Sequence, residues 1–302
     1  MRNDRREWLT ALTFLLPALL LIAFFILWPA LETLRLSFYS EDGFVGLANF
    51  RDVLTDRDTL NLDRFPTRLP PWGSLVNNAL WVLIHLPLTV ILGLALAVLF
   101  NKVRGLWANL AKVAIFLGMV TPLIVGGVII RFLFDETAGI VPALAHWLGL
   151  GEPLDKTWTA YPETALFALI LGSVWLWTGF SMVLHSAGLS TIDPELYEAA
   201  EIDGATEWHK FWRITLPLLW PVTAVVIALT LLWELKIFDI VFVATQGGPG
   251  GASLVLALQM YLIGFRELDP YRAAAVATLL TLVSLVIGVW FARRTVGVGR
   301  EG

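Results

Sequence analysis

The chain contains no cysteine, which excludes a disulfide framework, a thiolate metal centre and a cysteine nucleophile. It is also poor in charge: 15% of its 302 residues are Asp, Glu, Lys or Arg, while 57% are hydrophobic. A soluble domain carries about 25% charged and about 45–50% apolar residues, so both departures run in the direction that a lipid solvent demands. The formal net charge of −4 is small and unclustered, which argues against nucleic acid as a partner. None of the five lysines follows a glycine, so the Gly-Lys pair of a phosphate-binding P-loop is missing and the chain cannot bind ATP in that way. No cluster of histidines and carboxylates shares one depth in the apolar pattern, which disfavours a membrane-embedded enzyme.

What is abundant is long apolar sequence. About 20 such residues cross the roughly 30 Å hydrocarbon core, and six stretches qualify: Leu9–Leu31, Trp72–Asn101 with its apolar centre at Ala79–Phe100, Val113–Ile130, Thr164–Ile192, Ile214–Trp233 and Ala273–Ala292. As elements these predict an all-α transmembrane chain with spans at 9–31, 76–100, 111–133, 164–189, 214–242 and 271–292. The external loop is 35–72, and a cytoplasmic loop covers 190–216. Two shorter runs, Ala252–Phe265 and Ile140–Leu150, are read as interfacial or re-entrant helices. The first span follows Arg2, Arg5 and Arg6 as a signal peptide would. Its core exceeds the roughly 7–15 residues of such a peptide and no A-x-A-like site follows it, so it is read as an uncleaved span. Fourteen tryptophans suit the aromatic belts of membrane interfaces.

Lys and Arg placement orients the spans. With the N-terminus inside, eleven cationic residues (Arg2, Arg5, Arg6, Lys102, Arg104, Lys112, Lys210, Arg213, Arg293, Arg294 and Arg300) are cytoplasmic. Eight are outside, five of them in the 35–72 loop. Long loops weigh less in this rule, and an even number of spans places both termini in the cytoplasm.

The cytoplasmic segment Thr191–Thr206 has a definite local grammar. Asp193 is an N-cap and Pro194 fits the first helical position, where its missing N–H costs nothing. Glu195 suits the positive end of the helix dipole. Gly204 supplies the left-handed residue that ends the helix, and Thr206 caps a second short helix through Glu207, Trp208 and Phe211. Ala199 and Ala200 give a small-residue face that allows close packing against a partner. On these residues alone, a rigid docking knob and a well-capped connector on the bilayer surface remain equally open.

Glu198-Ala199-Ala200, then Asp203-Gly204, then Ile214-x-Leu216-Pro217 resembles the EAA motif of ABC importer membrane subunits. That resemblance implies a six-helix membrane domain of the MetI-like, type I importer kind, with five spans around a path and the first wrapping a partner. It makes Tyr197, Glu198, Ala199, Ala200, Asp203 and Gly204 the coupling helix that docks on a separate ATPase subunit. It further implies two ATP-binding subunits holding ATP and Mg, no cofactor in this chain, a second permease subunit that is a different chain, and an extracytoplasmic binding protein. The setting is the plasma (inner) membrane of a prokaryote.

Outer segments resemble the carbohydrate branch of that family. Phe44-Val-Gly46-Leu-Ala-Asn49-Phe50 follows the first span, and Thr245-Gln-Gly247-Gly248-Pro249 follows the fifth, with Tyr261 and Phe265 beyond. Lys236-Ile-Phe-Asp239-Ile-Val is similar to α-glucoside permeases. The 35–72 loop is too short for the large extra domain of the maltose subunit. The implied substrate is a disaccharide or α-glucoside.

Sugars need carboxylate or amide acceptors and an aromatic face. Trp177, Trp233, Glu234 and Asp239 are the candidates, because ionisable groups at membrane depth face a partner or a wet cavity. On a continuous helix Lys236 and Asp239 share a face and can pair, which leaves a structural ion pair as the competing reading, while Glu234 points about 140° from Asp239. His85, near Pro87, is read as a buried histidine bonded to a carbonyl freed by the proline, or else as lining a cavity. Trp175, Trp177, Thr178 and Ser181 form a stripe read mainly as helix packing. The Gly247–Gly251 run is read as a flexible external turn. An ion-coupled secondary transporter is the rival from another class. It predicts internal repeats and discontinuous helices, and the sequence displays neither.

Overall fold

The computed structural model describes residues 2–103, 105–150, 154 and 156–298; Arg104 and Arg300, counted above for orientation, lie outside them. The main-chain path runs through α1 (Arg2–Ile22), a π turn at Ala23–Leu27, α2 (Trp28–Leu36), a two-strand hairpin (Tyr39–Ser40 with Gly43–Phe44) and α3 (Ala48–Thr55). It continues through α4 (Ser74–Lys102), α5 (Leu106–Val120), α6 (Leu123–Leu133), α7 (Ile140–Trp147), α8 (Pro162–Leu189), α9 (Pro194–Ile202) and α10 (Glu207–Lys210). A π turn at Phe211–Thr215 leads into α11 (Leu216–Glu234), followed by α12 (Asp239–Ala244), α13 (Leu256–Tyr261) and α14 (Pro270–Val298).

Among the described residues, five helices are long and apolar enough to cross a membrane: Leu12–Leu36, Ser74–Lys102, Pro162–Leu189, Glu207–Glu234 and Pro270–Phe291. The expected straight third span is instead α5 and α6, bent by 112°. Its cause is local. Pro122 has no N–H to donate, and it pushes Thr121 into an extended conformation at φ −68°, ψ 125°. The expected fifth span of 214–242 is also interrupted. It ends as α11 at Glu234, and Leu235–Phe238 is non-helical before α12 begins. No proline or glycine marks that second break.

The chain forms two compact units. One is Met1–Thr55 with Met260–Thr281. In it, the Leu12–Leu36 helix buries none of its apolar residues within the chain. The Phe44–Phe50 motif has a structural job here: Asn49 Nδ2 donates to the carbonyls of Ser37 at 3.1 Å and Tyr39 at 2.8 Å, fixing the hairpin.

The other unit, Asp56–Gln259 with Leu282–Gly302, is built on α8, most of whose apolar stretch is buried. α4, α5, α6 and α11 all pack on it. Close approach needs small residues, as expected where lipid supplies no hydrophobic drive between helices. A Cβ on Gly93 would sit 2.3 Å from the Ser181 Cβ, and one on Gly179 would sit 2.7 Å from the Ile115 carbonyl oxygen. Ser181 thus belongs to packing, as its stripe suggested.

Candidate functional site

Two places in the larger unit carry the residues singled out above. The first is the cytoplasmic segment. α9 is a nine-residue helix whose N-cap, Asp193, accepts from the Glu195 N–H at 3.0 Å. Gly204 adopts φ +78°, and the Ala205 N–H reaches back to the Ala200 carbonyl at 2.9 Å, a left-handed helix end that glycine permits without penalty. Thr206 Oγ1 then accepts from the His209 N–H at 3.4 Å and starts α10.

No residue of α9 is buried. Glu198, Ala199, Asp203 and Gly204 are exposed, and Ala200 is half-buried. Tyr197 is turned back, its hydroxyl 2.9 Å from Thr215 Oγ1. Large apolar side chains stand in the open beside them: Ile202 is 88% exposed and Trp208 is 66% exposed. A shallow pocket lined by Ala200, Asp203, Gly204, Thr206, His209 and Arg213 lies on the same side. A stiff, capped projection with uncovered apolar and small residues is shaped to be gripped.

The second place is at membrane depth. Trp177 of α8 and Trp233 of α11 come together with ring centroids 4.4 Å apart, and Phe180 joins Trp233 at 5.1 Å. Trp233 is 41% exposed and Trp177 half-buried, so the group offers an aromatic face.

Glu234, the very next residue, turns the other way. It is 2% exposed, and Oε1 accepts from His85 Nδ1 at 2.6 Å. His85 therefore does not bond a carbonyl freed by Pro87. The carboxylate is the better acceptor, because in a dry interior a charge-assisted hydrogen bond is the stronger one. Asp239 is half-buried at the start of α12. The Lys236–Asp239 pair and the 140° angle both assumed an unbroken helix. With 235–238 non-helical neither holds, and among the described residues no ion pair joins Lys236 to Asp239.

Sequence reasoning missed the asparagines that tie α4 to this break and to the segment beyond it: Asn78 Nδ2 donates to the Leu235 carbonyl at 3.4 Å. Asn77 Nδ2 donates to the carbonyls of Ala252 at 3.1 Å and Leu254 at 2.8 Å. Asn78 Oδ1 accepts from the Leu256 N–H at 2.8 Å, while Ser74 Oγ donates to Gln259 Oε1 at 2.5 Å. Consecutive asparagines opening an uncharged span were the available signal: irregular backbone inside a membrane needs side-chain partners. They also make the stretch after Gly247–Gly251 anything but loose, since Ala252–Gln259 is buried.

A multi-pass helical membrane protein with a capped, uncovered knob between spans, and an aromatic face at membrane depth, is a membrane subunit made to work with other chains. The chain belongs to the binding-protein-dependent transport system inner membrane component family, which it matches over residues 89–296, and so is the permease subunit of an ABC importer.

It is 53% identical to a probable ABC transporter permease protein of Pyrococcus horikoshii, over 96% of this chain and 99% of that one. It is 34% identical to the alpha-glucoside transport system permease protein AglF of Rhizobium meliloti, over 95% and 82%. The figure is 31% for the trehalose/maltose transport system permease protein MalF of Thermococcus litoralis, over 89% and 87%. The fold is that of the crystal structure of a bacterial ABC transporter involved in the import of the acidic polysaccharide alginate, with TM-score 0.79, 21% identity and 97% of each chain covered. Two interrupted spans remove one sequence argument against an ion-driven carrier, and the family match stands in its place.

Proposed function

We propose that this chain is the sugar-conducting permease of an ATP-driven importer in the plasma (inner) membrane of a prokaryote, taking up a disaccharide or α-glucoside. The observation that carries the coupling half of this reading is the α9 knob, capped at Asp193, closed at Gly204 and burying none of its own residues. In this reading Glu198, Ala199, Ala200, Asp203 and Gly204 meet a separate ATPase subunit. Tyr197 holds the knob to the start of α11.

The sugar half is supported by the Trp177–Trp233 pair, whose faces suit the C–H surface of a pyranose, and by the names of relatives that carry α-glucosides and trehalose or maltose. Asp239 serves as a hydroxyl acceptor, and Glu234 is engaged by His85 unless substrate draws it away. Both termini are cytoplasmic, the second permease is a different chain, two ATPase subunits bind ATP and Mg, and an external sugar-binding protein delivers the substrate. The chain itself holds no cofactor.

The test is the purified complex in proteoliposomes, assayed with its binding protein for uptake and ATP hydrolysis against maltose, trehalose, sucrose and a β-linked control. ATP-dependent uptake of an α-linked sugar is the expected result. Uptake that persists without any ATPase subunit would overturn the reading, as would binding-protein-stimulated hydrolysis with none of the sugars.

A further inference from the structure

No residue of α9 is fully buried and only Tyr197 and Ala200 are half-buried, so apolar packing within the chain fastens it weakly and polar contacts carry a large share. They come from Tyr197, described above, and from Glu201. We infer that Lys210 is a positioning residue at the centre of a four-charge relay that ties the cytoplasmic knob to the end of α4. The inference rests on the knob acting as the coupling element.

Lys210 is only 7% exposed, a state that lysine almost never adopts unless paired. Its Nζ donates to Glu201 Oε1 on α9 at 2.6 Å and also pairs with Glu207, three residues back on α10. The other oxygen of Glu207 pairs with Lys102, the last residue of α4. Four alternating charges, Glu201, Lys210, Glu207 and Lys102, thus run from the knob across α10 to the second span. A cavity lined by Asn101, Lys102, Tyr197, Glu201, Glu207 and Lys210 lies alongside them.

Along the chain, α9 is connected only to α8 and α10. The relay adds a lateral link to a helix that the backbone does not join to it. That helix packs along both α8 and α11 and carries His85, the partner of Glu234. A pull on the knob therefore reaches α4 through the side chains of α10, without passing along either α8 or α11.

The members differ in what they contribute. Lys102, Glu201 and Glu207 are about three-fifths exposed, and an exposed pair alone fastens little. Lys210, shut away between two carboxylates, holds the relay in one geometry.

The test is sugar transported per ATP hydrolysed by the reconstituted complex, with its binding protein and a mixture of radiolabelled maltose, trehalose and sucrose. Lys210→Met is expected to lower that ratio about tenfold, the order of effect that residues between coupled sites can have, with hydrolysis retained. Lys210→Arg, which keeps the charge, is expected to stay within about twofold of the parent. Lys102→Met changes an end of the relay that is 60% exposed, and is expected to lower the ratio about threefold. A purely structural role would reduce the amount of complex and leave the ratio alone.

An unchanged ratio in Lys102→Met overturns the link to α4, even if Lys210→Met fails to assemble. An unchanged ratio in Lys210→Met overturns the relay as a whole. A parent complex with no ATP-dependent uptake would instead overturn the coupling reading itself.

Discussion

The knob and the His85–Glu234 pair lie in the same compact unit and are held by opposite means. At the knob, α9 is stabilised from within, by a cap at Asp193 and a glycine at Gly204, and its outward surface is bare. At the pair, two polar side chains from helices far apart in sequence meet in a dry interior, and nearly nothing of either is exposed. The contrast shows how one chain separates two duties. A surface helix left open to water takes its shape from local caps and its position from charge pairs to neighbouring helices. A break in a membrane span is closed by long-range bonds that only a water-free site makes strong.

The largest way to break this contrast is to cut the buried pair. His85→Leu leaves the Glu234 carboxylate buried and unpaired, which costs about 3–5 kcal/mol. Thermal unfolding of the detergent-solubilised complex should show it. His85→Leu with Glu234→Met should recover most of that loss, because a buried pair replaced by apolar residues of similar volume is often neutral. A single variant as stable as the parent would mean that the pair does not hold the break.

Next in size is Trp233→Ala, adjacent to Glu234 but facing Trp177. It should raise the KM for sugar uptake about tenfold, roughly 1.4 kcal/mol, with little change in unfolding temperature. Uptake kinetics that do not change would remove the aromatic pair from the substrate path.

At the knob the effects are smaller in stability and local in extent. Asp193→Ala removes the cap for about 1 kcal/mol, and hydrogen exchange should quicken in α9 while α8 and α11 stay protected. Protection lost across all three helices would show that the knob is not an independent unit. The smallest expected effect is Tyr197→Phe, about 0.5 kcal/mol for one half-exposed hydrogen bond to Thr215. Coupling should loosen measurably in transport per ATP, and an unchanged ratio would make the Tyr197 hydroxyl incidental.

How far each place was legible follows from the same contrast. The knob could be read almost residue by residue, since Asp193, Pro194, Gly204 and Thr206 act on their own neighbours within a turn or two. The membrane-depth site could be read only as a set of residue types. Trp177 and Trp233 were chosen as aromatics, and nothing local said that they would touch. Glu234 was placed by helical periodicity, which fails because the helix ends there; the break at 235–238 has no proline or glycine to announce it.

By itself, then, the sequence determined the solvent, the rough placement of the five long apolar helices, and the knob with its caps. Hydrophobic run length and capping are properties of neighbours along the chain. Tertiary structure alone decided that the third span bends as far as 112°, that the fifth is interrupted, that His85 takes Glu234 as its partner, and that Lys210 is enclosed between two carboxylates. Each of those outcomes depends on which distant helix supplies the nearest donor or acceptor, and in a medium without water that pairing determines where the backbone can stop being helical.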